Sequence, residues 1–223
     1  MRDKMTTAMP HWERVALTRN GKYLTDIEAG FIMGNIGKCK NVLDIGSGGG
    51  KFTRMLLAKG IHVVSLDLNL SALHWLKMKS KDAVIVAGSS EMLPFRDNAF
   101  DGAIMIETLD YALSATKALS ELRRALKMGS KAIFSFGNAS SLKSRLKRLR
   151  KDIMQDRFTA NEIFGLLSSL RLGFEKAEGY NWMLFKRESE CGAIPAVARI
   201  VKLCRLGKLV AASPWIIVSI VTC

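Results

Sequence analysis

The chain has 223 residues, enough for one α/β domain with a sizeable core and little room for a second. Its net charge of +14 favours acidic or anionic partners. Four cysteines (Cys39, Cys191, Cys204, Cys223) share no Cys-x-x-Cys spacing, and His11, His62 and His74 have no neighbours at ligand spacing. These patterns argue against a zinc or redox motif and predict free thiols in a reducing cytoplasm.

Residues 1–30 lack an uninterrupted apolar stretch, so no signal peptide is expected. Two helical segments are predicted first, one from His11-Trp12-Glu13-Arg14-Val15 and one from Tyr23 toward Ile36. The run Asn41-Val42-Leu43-Asp44-Ile45 reads as a strand, Gly46-Ser47-Gly48-Gly49-Gly50 as a tight turn, and Lys51 to Leu57 as the helix that follows. Ile61 to Leu66 forms a second apolar run that closes on Asp67, and Asn69-Leu70-Ser71 starts a helix carrying Ala72, Leu73 and Leu76. A third strand, Val84–Ala87, leads into Gly88-Ser89-Ser90-Glu91-Met92-Leu93-Pro94-Phe95. The fourth spans Phe100–Ile106. A helix with Ala118, Leu122, Ala125 and Leu126 on one face comes next, then a turn over Leu126–Lys131 and a fifth strand, Ala132–Phe136.

Beyond Phe136 come a loop (137–141) and a basic amphipathic helix over 142–153. Lys143, Arg145, Lys147, Arg148, Arg150 and Lys151 alternate there with Leu142, Leu146, Leu149 and Ile153. The segment reads as a solvated face over an apolar seam that packs on the domain; the alternatives are contact with an RNA backbone, an anionic membrane surface or a phosphorylated small substrate. No aromatic residue interleaves those charges, which argues against a base-stacking platform. Thr159 and Glu162 form a capping box, Gly173-Phe174-Glu175 opens a sixth strand reaching Tyr180, and residues 188–208 hold a mixed apolar and basic helix. The terminal apolar run, Leu209–Cys223, has 15 residues with Pro214 inside it. A spanning helix needs about 20. Its β-branched residues suit a buried strand.

Strand, glycine turn and helix together mark the place where open α/β sheets hold a nucleotide-like ligand. Asp67 lies 23 residues beyond Asp44, about where a ribose-binding carboxylate is expected. A dinucleotide fingerprint requires glycine at position 51, which is lysine, and Gly50-Lys51 is followed by Phe52, so no GK[ST] phosphate loop exists. Asp44 at the strand end would repel a pyrophosphate and attract a cation.

The pattern Gly46-x-Gly48-x-Gly50, the Leu93-Pro94-Phe95 segment and the Leu126-Lys127-Met128-Gly129 turn resemble the class I S-adenosylmethionine-dependent methyltransferases over roughly Val42–Asn138. The resemblance implies a Rossmann-like, doubly wound, mostly parallel seven-stranded sheet with an antiparallel last strand, a helical N-terminal cap and helical lid insertions. It divides one domain, 1–223, into cap (1–40), cofactor-binding core (41–138), lid helices with the sixth strand (139–212) and last strand (213–223). S-adenosyl-L-methionine is the implied cofactor. Gly46, Ser47, Gly48 and Gly50 would admit its methionine part, with Asp44 paired directly or through water to the ammonium, and Asp67 would take the ribose. Leu68, Ser89, Ser90 and Glu91 would frame the adenine, and Ile106 and Glu107 would line the path to the methyl group. Trp12 and Tyr23 on the cap are further pocket candidates.

Ser89 stands where the family usually has aspartate, Glu91 being the residue placed to compensate, and Met128 replaces the turn proline. The absence of an Asn/Asp-Pro-Pro-Tyr motif tilts the acceptor toward oxygen, carbon or a small-molecule nitrogen. The implied activity is methyl transfer to a small molecule by in-line displacement, in the cytoplasm and without a metal. The alternatives are an RNA (tRNA) methyltransferase and a non-catalytic S-adenosylmethionine-binding regulator. Glu107, Asp110, Tyr111 and His11 are the candidate general bases should the acceptor need one.

Overall fold

Alternation along the strands builds the sheet. In β1 (Asn41–Ile45), Leu43 and Ile45 face one apolar cluster and Val42 faces the other. The computed structural model describes residues 8–141, 144, 158–180, 187–191, 196, 199, 200, 203 and 215–221. Around β1 the elements run α1 (His11–Val15), α2 (Arg19–Ile36), α3 (Lys51–Leu57), β2 (His62–Asp67), α4 (Leu70–Lys79), β3 (Val84–Ala87) and β4 (Phe100–Met105). A 3₁₀ turn (Leu109–Tyr111), α5 (Ala115–Ala125), β5 (Leu126–Phe136), α6 (Ala160–Ser169), β6 (Leu172–Gly179) and β7 (Trp215–Val221) follow.

The strands form one sheet in the order β3-β2-β1-β4-β5-β7-β6. All pairings from β3 to β5 are parallel, and β7 runs antiparallel to both neighbours. Residues 215–221 of the greasy terminal run therefore form a strand enclosed on both edges. Ile216 and Val218 point to the α2/α3 side and Ile217 and Val221 to the α5/α6 side, all four buried. The turn expected over Leu126–Lys131 is absorbed into β5 instead. Pairing with β4 begins at Phe100↔Leu126 and resumes at Gly102↔Lys131, the slack taken up around Gly129 at φ +75°.

Side chains fix the helix starts. Thr18 caps α2 through the Gly21 N–H, Asn69 caps α4 through the Ala72 N–H, Ser114 caps α5, and Thr159 with Glu162 closes the expected capping box on α6. The basic helix expected over 142–153 lies outside the described residues except for Ser144, and of 188–208 only 188–191, 196, 199, 200 and 203 are described. Among the described residues no helix is long and apolar enough to cross a membrane.

Strand order reverses between β2-β1 and β1-β4, so the segments after β1, β2 and β4 diverge at the carboxyl edge and leave a crevice there.

Candidate functional site

That crevice is a cavity of about 620 Å³. Its floor is the glycine turn, whose three left-handed glycines do different work. Gly46 (φ +71°) lies under Thr108, where a Cβ would meet Oγ1 at 2.1 Å, and Gly50 (φ +79°) lies under Leu76, where a Cβ would meet Cδ1 at 2.2 Å. A Cβ on Gly48 (φ +53°) would meet nothing within 4 Å. Gly46 and Gly50 are thus small for the sake of protein packing, and Gly48 presents bare backbone to the cavity.

Asp67 holds this turn in place. Its Oδ2 accepts from the Gly48 N–H at 2.7 Å and its Oδ1 from the Asn69 N–H at 2.8 Å. Each carboxylate oxygen still has a lone pair for a ligand. On the β3 side, Ser89, Ser90 and Glu91 line the cavity with Leu68 and Leu113, which are 74% and 90% exposed. Exposed apolar side chains of that size around a concavity are surface that a ligand can cover. Glu91, the acid near Ser89, is already engaged at both oxygens. Its two oxygens accept from the Leu113 and Ser114 N–H groups and hold the opposite wall.

The β4 side begins with Glu107, a non-glycine residue at φ +55° whose N–H donates to Ser135 Oγ at 2.7 Å. A left-handed backbone costs such a residue about 1–2 kcal/mol and persists only where its surroundings enforce it. The twist lays Thr108 over Gly46 and turns the Glu107 carboxylate toward Arg187.

Arg187 Nη1 donates to Glu107 Oε1, and its Nη2 donates to both oxygens of Glu28 at 2.9 and 2.7 Å. Glu28 is fully buried and also accepts from Tyr180 at 2.7 Å and Lys51 at 3.4 Å. Burial alone would push the Glu28 carboxyl up; Arg187, Lys51 and Tyr180 outweigh it and hold it below the ordinary range. Glu107 is raised: burial pushes it up and Arg187 only partly offsets this, with Glu28 and Asp110 adding to the rise. Arg187 and Tyr180, outside the expected site, were not legible as site residues because nothing local marks a partner about 150 positions away.

The roof comes from Ala8 and Pro10 ahead of α1 and from His11 and Trp12 in its first turn. Glu13 ties it to the floor, pairing with Arg54 at 2.6 Å while Arg54 also donates to the Gly49 carbonyl at 2.5 Å. Residues 187–191 pin the α1–α2 junction, where Thr18 Oγ1 donates to the Arg187 carbonyl at 3.0 Å and the Asn20 N–H to the Ser189 carbonyl at 3.0 Å.

Gly46, Gly48, Asp67, Leu68, Ser89, Ser90, Glu91 and Glu107 all meet at the cavity, as do His11, Trp12 and Tyr111. Five expected positions are not on its lining. Asp44 is 3% exposed beneath the turn and accepts from Thr53 Oγ1 at 2.6 Å, with Ser65 behind that hydroxyl at 2.7 Å. Alternation puts it on the α3 side of the sheet, so it does not pair directly with a ligand in the cavity. Burial pushes its carboxyl up to about 7. Gly50 caps α3, Ile106 is buried in the α2/α3 cluster, and Tyr23 packs against that same cluster from α2. Ser47 donates its N–H to Leu66 and turns its hydroxyl inward. Asp110 is also off the lining and accepts from the Gly137 N–H at 2.8 Å.

Among the described residues no cluster of three or more His, Cys, Asp or Glu is arranged to hold a metal ion. The lining itself is acidic. Asp67, Glu91 and Glu107 reach it, and no lysine or arginine does among the described residues, although the whole chain carries +14.

Residues 43–134 match the family described as "Methyltransferase domain". The chain is similar to a demethylmenaquinone methyltransferase of Renibacterium salmoninarum, 34% identical over 94 residues, covering 42% of this chain and 40% of the relative's length. It is also 26% identical over 188 residues to an uncharacterized methyltransferase of Mycobacterium bovis, covering 78% of this chain and 75% of that one. Among solved structures, an S-adenosylmethionine-dependent methyltransferase from Thermotoga maritima superposes with a TM-score of 0.68 at 21% identity, covering 94% of this chain and 93% of that one. The last likeness shows the fold.

Proposed function

We propose that this chain, whose residues 43–134 match the family described as "Methyltransferase domain", binds S-adenosylmethionine in the cavity and transfers its methyl group to a small-molecule acceptor. One observation carries the reading: the lining pairs three carboxylates with no described lysine or arginine around a stretch of bare glycine backbone. Such a surface repels a pyrophosphate and favours a ligand bearing an ammonium and a sulfonium.

The residues present fit that ligand. Asp67, already locked by two backbone N–H groups, offers its remaining lone pairs to a ribose diol, a charge-assisted contact contributing about 1.5–3 kcal/mol. Leu68 and Leu113 supply apolar surface for a flat base, and Ser89 and Ser90 supply polar groups at its edge. Gly48 admits the chain that joins the nucleoside to its amino-acid end. When bound, S-adenosylmethionine supplies an electrophilic methyl on a sulfur that leaves neutral. The protein's task is then to align the acceptor and exclude water, and alignment of this kind lowers a barrier by about 7–11 kcal/mol. Trp12 and His11 from the roof and Tyr111 from the β4 side close the space where an acceptor would sit. Burial pushes the Tyr111 hydroxyl above its ordinary value, so it keeps its proton at neutral pH and acts as a hydrogen-bond donor.

The relatives whose names specify a substrate act on small molecules or carrier-bound acyl groups, which supports a small acceptor here. The basic segment that raised RNA or a membrane as partners lies outside the described residues. Calorimetry with S-adenosylmethionine, S-adenosylhomocysteine and NADH tests the reading. Uptake of the first two and no heat with the third is expected; tight NADH binding with no response to either sulfur compound would overturn it.

A further inference from the structure

Three carboxylates reach the cavity, and in two of them both oxygens already accept from backbone N–H groups. Both Asp67 oxygens hold the glycine turn and the Asn69 N–H, and both Glu91 oxygens hold the Leu113–Ser114 wall. Glu107 differs. Its Oε1 accepts from Arg187, its Oε2 takes no hydrogen bond among the described residues, and its side chain keeps 31% exposure. It stands beside Thr108, which lies over Gly46, and it follows β4, on the other side of β1 from the segments after β2 and β3 that carry Leu68 and Ser89. Asp44, the other acid at this end, is sealed beneath the turn.

We propose that Glu107 receives the ammonium of the ligand's amino-acid end and that Arg187 is the positioning residue that holds this carboxylate in place. The inference rests on the S-adenosylmethionine reading above and adds to it a residue far outside the matched segment. Arg187 suits the role because it is itself fixed. Its side chain is 10% exposed, both Glu28 oxygens anchor its second nitrogen, and its carbonyl accepts from Thr18 on the cap. Glu28 is in turn held by Tyr180 from the end of β6 and by Lys51 from α3. A left-handed Glu107 has few ways to aim its side chain, and the guanidinium selects one.

Burial opposes the charged form of Glu107 most, Arg187 and Lys51 favour it, Glu28 and Asp110 oppose it, and the hydroxyls of Tyr111 and Tyr180 also face it. Its folded value is raised, so the carboxylate is lost from the site at a higher pH than for a free glutamate. Ligand binding through it should therefore weaken as pH falls.

The test compares S-adenosylhomocysteine with methylthioadenosine, the same nucleoside thioether without the amino-acid end, by calorimetry between about pH 8 and about pH 5. The parent should bind S-adenosylhomocysteine more weakly as pH falls, with methylthioadenosine unaffected. Arg187→Gln should lose about tenfold or more in S-adenosylhomocysteine affinity at neutral pH and move the pH midpoint upward, Arg187→Lys should recover part of both, and methylthioadenosine should be unchanged throughout. Glu107→Gln, which leaves the Arg187–Glu28 pair intact, should lose S-adenosylhomocysteine affinity and its pH dependence even if Arg187→Gln does not fold. An unchanged affinity and midpoint in Glu107→Gln overturns the proposal, as does an equal loss of both ligands in Arg187→Gln. Failure of the parent to bind either compound sinks the proposed function first, and this inference with it.

Discussion

The N–H of Gly48 donates to Oδ2 of Asp67 at 2.7 Å, so the acid at the end of β2 clamps the glycine turn at the end of β1. One carboxylate therefore serves two ends, shaping the floor of the cavity and facing the space above it.

This double duty predicts a double loss. Asp67→Ala leaves the Gly48 and Asn69 amides without their acceptors, which should lower stability by about 1–3 kcal/mol and reduce S-adenosylhomocysteine affinity at least tenfold. Asp67→Asn keeps one acceptor oxygen and should fall between parent and alanine variant in both measures. Urea unfolding and calorimetry on the same samples check this. A variant that binds like the parent would remove Asp67 from the ligand's surroundings.

The glycines should separate by mechanism. Gly50→Ala forces a side chain into left-handed backbone, about 1–2 kcal/mol, and drives its Cβ into Leu76, about 1–3 kcal/mol more. Gly48→Ala meets only the backbone cost, because nothing stands within 4 Å of its Cβ. Denaturant midpoints should thus fall further for Gly50→Ala, while ligand affinity suffers disproportionately to stability in Gly48→Ala.

Asp44 makes stability depend on pH in an unusual direction. Burial raises its folded value to about 7, above the unfolded value, so the native state binds the extra proton. That contribution leaves stability intact at acid pH below the unfolded value and erodes it as pH rises through the interval up to about 7, at up to about 1.4 kcal/mol per pH unit. Asp44→Asn cannot ionise. Between about pH 5 and about pH 7 its urea-unfolding free energy should gain on the parent's with rising pH, and parallel curves would show that Asp44 is not the titrating group.

The buried cluster behind Glu107 should be the most sensitive part of the α2 face. Glu28→Ala strands Arg187 and Lys51 without their shared partner and should cost about 3–5 kcal/mol. Tyr180→Phe removes one neutral donor and should cost about 1 kcal/mol. Thermal and urea unfolding of the two variants test that ranking; equal costs would mean the ion cluster contributes no more than a single hydrogen bond.

Much of this molecule was legible in local pattern. Apolar runs and the β-branched terminal stretch located the strands, Asn69 and the Thr159/Glu162 pair marked helix starts, and the strand–glycine–helix order located the cavity floor together with Asp67 and the Ser89–Glu91 segment. These features are set by neighbours in the chain, because turn chemistry, caps and side-chain alternation act over a few residues. Which acid faces the cavity was not. Asp44 and Glu107 both end apolar runs, and only the packing of α3 over β1, with Thr53 closing on Asp44, buries the first. Only the arrival of Arg187 from 80 positions away aims the second. Charge balance at a site depends on which distant chain segments converge there, and the tertiary structure alone decides that.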